Sequence, residues 1–323
     1  MILAATTPEI KKWISVTTNF DAENLDPPSL AVKKFIVDIL GDDEFNLLVT
    51  NYDSNALTAE QEALLPYVQN AYVNLAMHHY IGNGGQLEIS NAGVNINVTV
   101  DKKTAWEWQI KEHKAGLKTT GFNAIEELLY FLWSSPAGTY LLWRASAQKN
   151  KHLNLFCNSA KQFSEAYNIK ENYALFRELK DTIAFVEMQY IVPVIQTAVA
   201  NDLHNKIKNF STSAIEDKLI EKITAALANK TIVHAIPKLA SVFDELGIFE
   251  NFTSMNMSVN STNPVRDTGL SLRIREADKV GEKYLVDLAR FIKDNALSFP
   301  LYVPDTSTPV QINTIENGFY TIL

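Results

Sequence analysis

The sequence predicts a mainly α-helical chain made of two tandem copies of one helical module, each with a short β-hairpin, followed by an extended C-terminal arm. Three observations point there. Apolar residues recur at helical spacing over most of the 323 residues, and the order helix, helix, hairpin, helix occurs twice. Beyond Ser298 the tail carries Pro300, Pro304 and Pro309 and then alternates Val310, Ile312 and Ile315 with polar side chains. With 46% apolar and 20% charged residues the chain is too rich in core-formers for disorder, and its length suits two domains.

The first amphipathic helix carries Val32, Phe35, Ile36, Ile39 and Leu40 on one stripe and ends at Gly41, where a C-terminal cap is expected. A second starts at Thr58, whose hydroxyl can cap while Gln61 reaches back. It runs through Leu64, Leu65, Val68, Tyr72, Leu75 and Ala76 toward Gly82, with Pro66 expected to kink it. After Gly82-Asn83-Gly84-Gly85, the residues Leu87, Ile89, Val94, Ile96, Val98 and Val100 alternate around Asn91-Ala92-Gly93, which predicts a hairpin. Helical spacing returns from Thr104 to about Leu117, is expected to break at Thr119-Thr120-Gly121, and resumes from Ala124 to Trp133.

The second half repeats this order. Glu9 to Trp13 lines up with Ser159 to Phe163, Ile39-Leu40-Gly41 with Ile191-Val192-Pro193, and His79 with His234. Ala92-Gly93-Val94 lines up with Leu246-Gly247-Ile248, and Lys114-Ala115-Gly116 and Lys118 with Lys279-Val280-Gly281 and Lys283. Matches kept in order across both halves point to a tandem duplication. The expected boundaries are copy one over 1–133, a packed linker over 134–154 containing Tyr140, Leu141, Leu142 and Trp143, copy two over 155–298, and the arm over 299–323.

Chemistry is harder to find. A single cysteine, Cys157, allows neither an internal disulfide nor a cysteine-based zinc site, and it is expected to be a packing thiol. Twenty-nine basic against 37 acidic side chains give a net charge of −8, which opposes non-specific binding to nucleic acid or anionic membranes. The N-terminus does not read as a signal peptide. The uncharged stretch from Ala63 to Leu87 holds Pro66, Gln69, His78 and His79, so no membrane span is expected.

Adjacent His78 and His79 diverge around a helix with no ligand at i+4, so no metal site is nominated; His79 and His234 are expected to serve helix ends. Gly82 to Gly85 follows a helix and precedes a strand, the reverse of a phosphate-binding loop. Glu126-Glu127 is expected to favour the start of a helix. No catalytic residue and no cofactor are nominated. One charge pattern remains: Lys111, Lys114 and Lys118, with Arg275, Lys279 and Lys283, form basic stripes that fit a solvated face, an acidic neighbour or passing DNA.

A resemblance adds to this. Glu9 to Ile14, Asn19-Phe20, Leu25 and the helix ending Ile39-Leu40-Gly41 resemble the opening of tailed-bacteriophage head-to-tail connector (adaptor) proteins, of the kind found in Bacteroidetes phages and prophages. Phe156 to Phe163, Tyr167-Asn168-Ile169 and Phe176 to Leu179 are similar to that family's central segment. The Leu64 to Ile81 helix, the hairpin and the helix from Trp106-Glu107-Trp108-Gln109 look like the core of the wider connector fold.

The resemblance implies a virion structural protein rather than an enzyme. Subunits of such proteins form a closed ring, commonly twelvefold, between the portal and the tail, and continue the DNA channel. The implied partners are further copies of the chain, the portal protein, the next tail or connector component and DNA in transit, with no membrane. The implied location is the capsid-tail junction, after synthesis in the host cytoplasm. Phe299, Leu301, Tyr302, Val303, Val310, Ile312, Ile315, Phe319 and Tyr320 would dock the arm on the portal or a neighbour, the alternative being an arm folded back on its own domain. The loop Asn83 to Gln86 and the hairpin Glu88 to Val98 would touch the next ring or line the channel. Two rival readings stand beside this one: a non-ring binding module or assembly chaperone for virion proteins, and a cytoplasmic enzyme whose site is assembled from scattered residues.

Overall fold

The computed structural model describes residues 3–16, 20–82, 87–90, 93–96, 106–239, 241–244, 247–250 and 267–304. Thr6 and Glu9 cap the short helix α1 (Thr7–Ile10), and Asp21 opens a 3-10 turn over Ala22–Leu25. Helix α2 (Asp26–Leu40) has a proline in its first turn, where the missing N–H removes no intrahelical bond, and buries Val32, Ile36, Ile39 and Leu40. Gly41, at φ +80°, turns the chain into α3 (Asp42–Asp53); its Cβ-less backbone lies against Ser146 of the linker.

Helix α4 (Ala59–Gly82) starts at the expected reciprocal cap: the Thr58 N–H reaches Gln61 Oε1 at 3.1 Å and the Gln61 N–H reaches Thr58 Oγ1 at 3.3 Å. Strands β1 (Leu87–Ser90) and β2 (Gly93–Ile96) then pair antiparallel, Leu87 opposite Ile96 and Ser90 opposite Gly93. Helix α5 (Glu107–Ser134) returns along α4. The linker forms α6 (Leu141–Ala145) and α7 (Ala147–His152), packed against α3 and α2, with Trp143 fully buried.

The second half contains α8 (Ala160–Ala166), α9 (Tyr173–Val186), a π-helical turn over Glu187–Ile191, α10 (Val192–Ile195), α11 (Thr197–Lys208) and α12 (Ala214–Leu239). Strands β3 (Ser241–Asp244) and β4 (Gly247–Glu250) pair antiparallel, and α13 (Asp267–Asp294) packs along α12 before a 3-10 turn over Ala296–Ser298. One apolar core runs through both halves and the linker. Among the described residues no single helix is long and apolar enough to cross a membrane; the bent pair Tyr173–Ile195 and Thr197–Lys208 meets that test only jointly, across a 116° bend.

The main helices of the halves correspond in order, in a register that differs in three places from the sequence alignment. The first is the opening helix, where the caps Thr6–Glu9 and Ser159–Gln162 set Glu9 opposite Gln162 and not Ser159. Helices α3 and α11 both have 12 residues, and α5 and α13 both have 28. The Thr58–Gln61 cap recurs at Ser213–Glu216, and the Asn74 to Asn70 carbonyl bond recurs from Asn229 to Ala225. Positive-φ residues recur too: Gly41 (+80°) with Gln196 (+71°), and Asn55 (+51°) with Phe210 (+53°).

The counterpart of Gly41 is therefore Gln196 and not Pro193, which sits inside the first turn of α10 after the π-helical turn has lengthened the segment. The counterpart of Gly281 is Gly121 and not Gly116. A Cβ on Gly121 would lie 2.6 Å from Leu75 Cγ, and one on Gly281 would lie 3.1 Å from the Lys230 side chain, whereas Gly116 has open space. This also corrects the expected break at Thr119-Thr120-Gly121. Helix α5 runs straight through it, because Gly121 gives α4 its close approach and that packing outweighs local propensity.

Candidate functional site

The seam between the halves is built by α5 and the linker on one side and by α8 and α9 on the other. Glu126, expected to favour a helix start, lies in the middle of α5 and is buried; its Oε1 accepts the Lys161 N–H at 2.9 Å and so caps α8 instead. Burial raises its pKa, and the backbone N–H groups of Lys161 and Ala160 oppose that rise. Tyr130 Oη and Ser159 Oγ meet at 2.9 Å beside it. Cys157 is fully buried, and burial pushes its thiol well up, which makes it a packing group and a poor nucleophile.

Next to this seam lies a cleft of about 480 Å³, walled by α2, α5, α7 and α9. Phe35, Ile39, Ile125, Leu155 and Tyr173 supply its apolar surface; Lys151, Arg177, Lys180, Asp38 and Asp181 bring charge to it. The Arg177 guanidinium lies 4.6 Å from the Phe35 ring centroid and 5.3 Å from that of Phe122, which stack edge to face on each other. Among the described residues, none of the three cations has a carboxylate within ion-pair distance.

His152 closes one wall. Its Nε2 lies 2.7 Å from the Asp38 carbonyl oxygen and must carry the proton it donates there, so Nδ1 is left to accept from the Lys180 ammonium at 3.1 Å. Burial, with the Lys180 charge second, pushes His152 down to about 3 and keeps it neutral. Burial, and then the charges of Arg177 and Lys151, lower Lys180 to about 8. A second buried group holds the π-helical turn: Glu187 accepts the Phe156 N–H at 3.0 Å and meets His204 Nε2 at 2.8 Å, while His204 stacks 4.2 Å from Phe156. Among the described residues no group of three or more His, Cys, Asp or Glu side chains could hold a metal ion.

A family described as a family of unknown function (DUF6712) matches the chain over residues 36–152 and again over 191–311. The chain belongs to DUF6712. The two matched stretches are nearly equal in length and start at corresponding points of α2 and the π-helical turn, as a tandem pair would give. No curated protein and no solved structure matches the chain. The double match to DUF6712 agrees with the repeat and carries no chemistry.

The residues nominated for docking separate into two sets in this DUF6712 chain. Phe299 is 4% exposed and belongs to the core, and Tyr302 packs against it. Gln196 grips the Val303 backbone from both sides, Nε2 to the carbonyl at 2.6 Å and Oε1 from the N–H at 2.9 Å, while the Leu301 and Val303 side chains stay exposed. The arm thus begins by folding back on its own chain. Val310, Ile312, Ile315, Phe319 and Tyr320 lie outside the described residues, as do the Asn83 to Gln86 loop and the side chains of the Glu88 to Val98 hairpin.

The basic stripe residues Lys111, Lys118, Arg275, Lys279 and Lys283 are exposed and Lys114 is half-buried, but the stripes are not equivalent positions. With α5 and α13 aligned end to end, Asp278 stands where Lys118 stands. His78, not His79, makes the carbonyl contact, Nδ1 to Lys114 O at 2.9 Å on the neighbouring helix, and His234 Nε2 meets Tyr190 Oη at 3.0 Å. Sequence reading missed Arg177, Lys180 and Lys151 altogether. Its one available signal was the Arg177–Lys180 spacing of one helical turn beside the apolar stripe of α9.

Proposed function

We propose that this chain is a virion structural protein: a subunit of an adaptor ring that joins the portal vertex of a capsid to the tail and continues the DNA channel, without catalysing a reaction. The observation that carries this reading is the tandem unit of two long paired helices joined through a short hairpin, in the order that resembles the connector proteins. Identical subunits that meet through two different faces close into a ring when the rotation between them closes.

Two further features support it. Leu30, Trp106 and Met188 are each about 70% exposed, 71%, 72% and 69%, large apolar groups of the kind that an assembly covers. A net charge of −8 suits a channel wall along which DNA slides without being held. Docking on the portal or a neighbour falls to Val310, Ile312, Ile315, Phe319 and Tyr320, since the start of the arm is taken up by its own chain. The test is native mass of the full chain, alone and mixed with its portal protein, together with imaging of particles from the same phage. A closed ring and density at the capsid-tail junction are expected; particles that lack the chain, or a chain that never exceeds a dimer with portal present, would overturn the reading.

A further inference from the structure

We propose that the cleft between the two halves is a binding site for a small phosphate-bearing anion, held by Arg177, Lys180 and Lys151. The reading is independent of the ring, since it concerns a single chain.

The geometry is that of a prepared site with its counter-charge missing. Arg177 is held beside the rings of Phe35 and Phe122, and its N–H groups have no hydrogen-bond acceptor among the described residues. Lys180 is fixed by His152, whose own orientation is set by the Asp38 carbonyl; one ammonium proton is used and the others remain. Lys151, exposed on α7, completes a third side. The two carboxylates on the cleft wall, Asp38 and Asp181, pair with none of these cations within 4 Å, so they limit the net charge without filling the cation site.

In a chain of net charge −8, three such cations around one cavity repel one another, and burial costs Lys180 its solvation; the lowered pKa of Lys180 is the local sign of both effects. An anion relieves them. A forked guanidinium with two ammonium groups matches an oxyanion that offers several oxygens, and a cleft of about 480 Å³ with Phe35, Ile39 and Tyr173 on its walls leaves room for a small organic group attached to the phosphate. The ligand would touch α2, the linker and α9 at once, and so bridge the halves.

The experiment is calorimetric titration of the full chain with inorganic phosphate and with pyrophosphate, against chloride at matched ionic strength, and in parallel with a short DNA duplex. Saturable binding of pyrophosphate at one site per chain is expected, weakened about tenfold by Arg177→Gln and by Lys151→Gln and unchanged by Lys293→Gln on α13, since a charge-assisted hydrogen bond is worth on that order. Lys151 is exposed, so its variant keeps the fold even if Arg177→Gln does not; circular dichroism checks both. Absence of saturable binding, or binding equal in all variants, overturns the site. Duplex binding that depends on Arg177 while pyrophosphate fails would overturn it too, in favour of backbone phosphates of DNA.

Discussion

His152 shows how one residue acquires its properties from distant parts of the chain. Its ring is held between a carbonyl of α2 and an ammonium of α9, and burial keeps it neutral down to about pH 3, against an ordinary value of 6.5. Between those values the unfolded chain takes up a proton that the folded chain refuses, so stability falls as pH falls through that window. At about 1.4 kcal/mol per pH unit, the site should cost the wild type about 2 kcal/mol between pH 7 and pH 5. Lys180 does not blur this, since its folded value of about 8 leaves it charged in both states over that range. Urea unfolding at the two pH values should therefore show His152→Gln to be less acid-sensitive than the wild type by about that amount; equal sensitivity would mean that His152 is already solvated.

At the scale of elements, glycine position separates packing from propensity. Gly116 and Gly121 lie on the same helix α5, about 1.4 turns apart and so on different faces, and only Gly121 meets Leu75 of α4. Gly121→Ala should lower stability by about 1–3 kcal/mol through overpacking, whereas Gly116→Ala should raise it by about 0.5–1 kcal/mol, as for an exposed helix interior. Thermal melts of the two variants give opposite signs if the α4–α5 contact is as described, and like signs if it is not. The same contact explains why the helix break predicted at Thr119-Thr120-Gly121 is absent. Helix existence was legible from apolar spacing in α2 and α4, and the Thr58 cap was legible from Gln61; the true register of the repeat was not. It rests on Gly41 with Gln196 and on Gly121 with Gly281, pairs that share backbone conformation or closeness of approach and not residue type.

Over the whole molecule, the return of the chain onto itself is what ties the parts together. The linker seats Trp143, whose backbone N–H reaches buried Glu44 at 3.3 Å, and the arm seats Val303, whose backbone N–H reaches Gln196 at 2.9 Å, so each half receives the segment that follows it near the start of α3 or α11. A chain that ends at Pro304 keeps buried Phe299 and the Gln196 clamp on Val303, and is the reference for a shorter one. Removing 299–323 takes away buried Phe299 and the Gln196 clamp, and should cost about 3–5 kcal/mol. Comparing the two truncations by denaturant titration checks this; identical stabilities would show that the arm does not contribute to the core.

The amino-acid sequence alone determined the helical class, the presence of a repeated unit, the caps and the packed linker. These follow from patterns within a few residues, where helical period and hydrogen-bond reach are fixed by the backbone. Tertiary structure alone decided the register of the repeat, the seating of Phe299 and Val303, and the meeting of Lys151, Arg177 and Lys180 around one cleft. Those depend on which faces approach one another across long separations, and close approach, burial and unpaired charge exist only once the helices are packed.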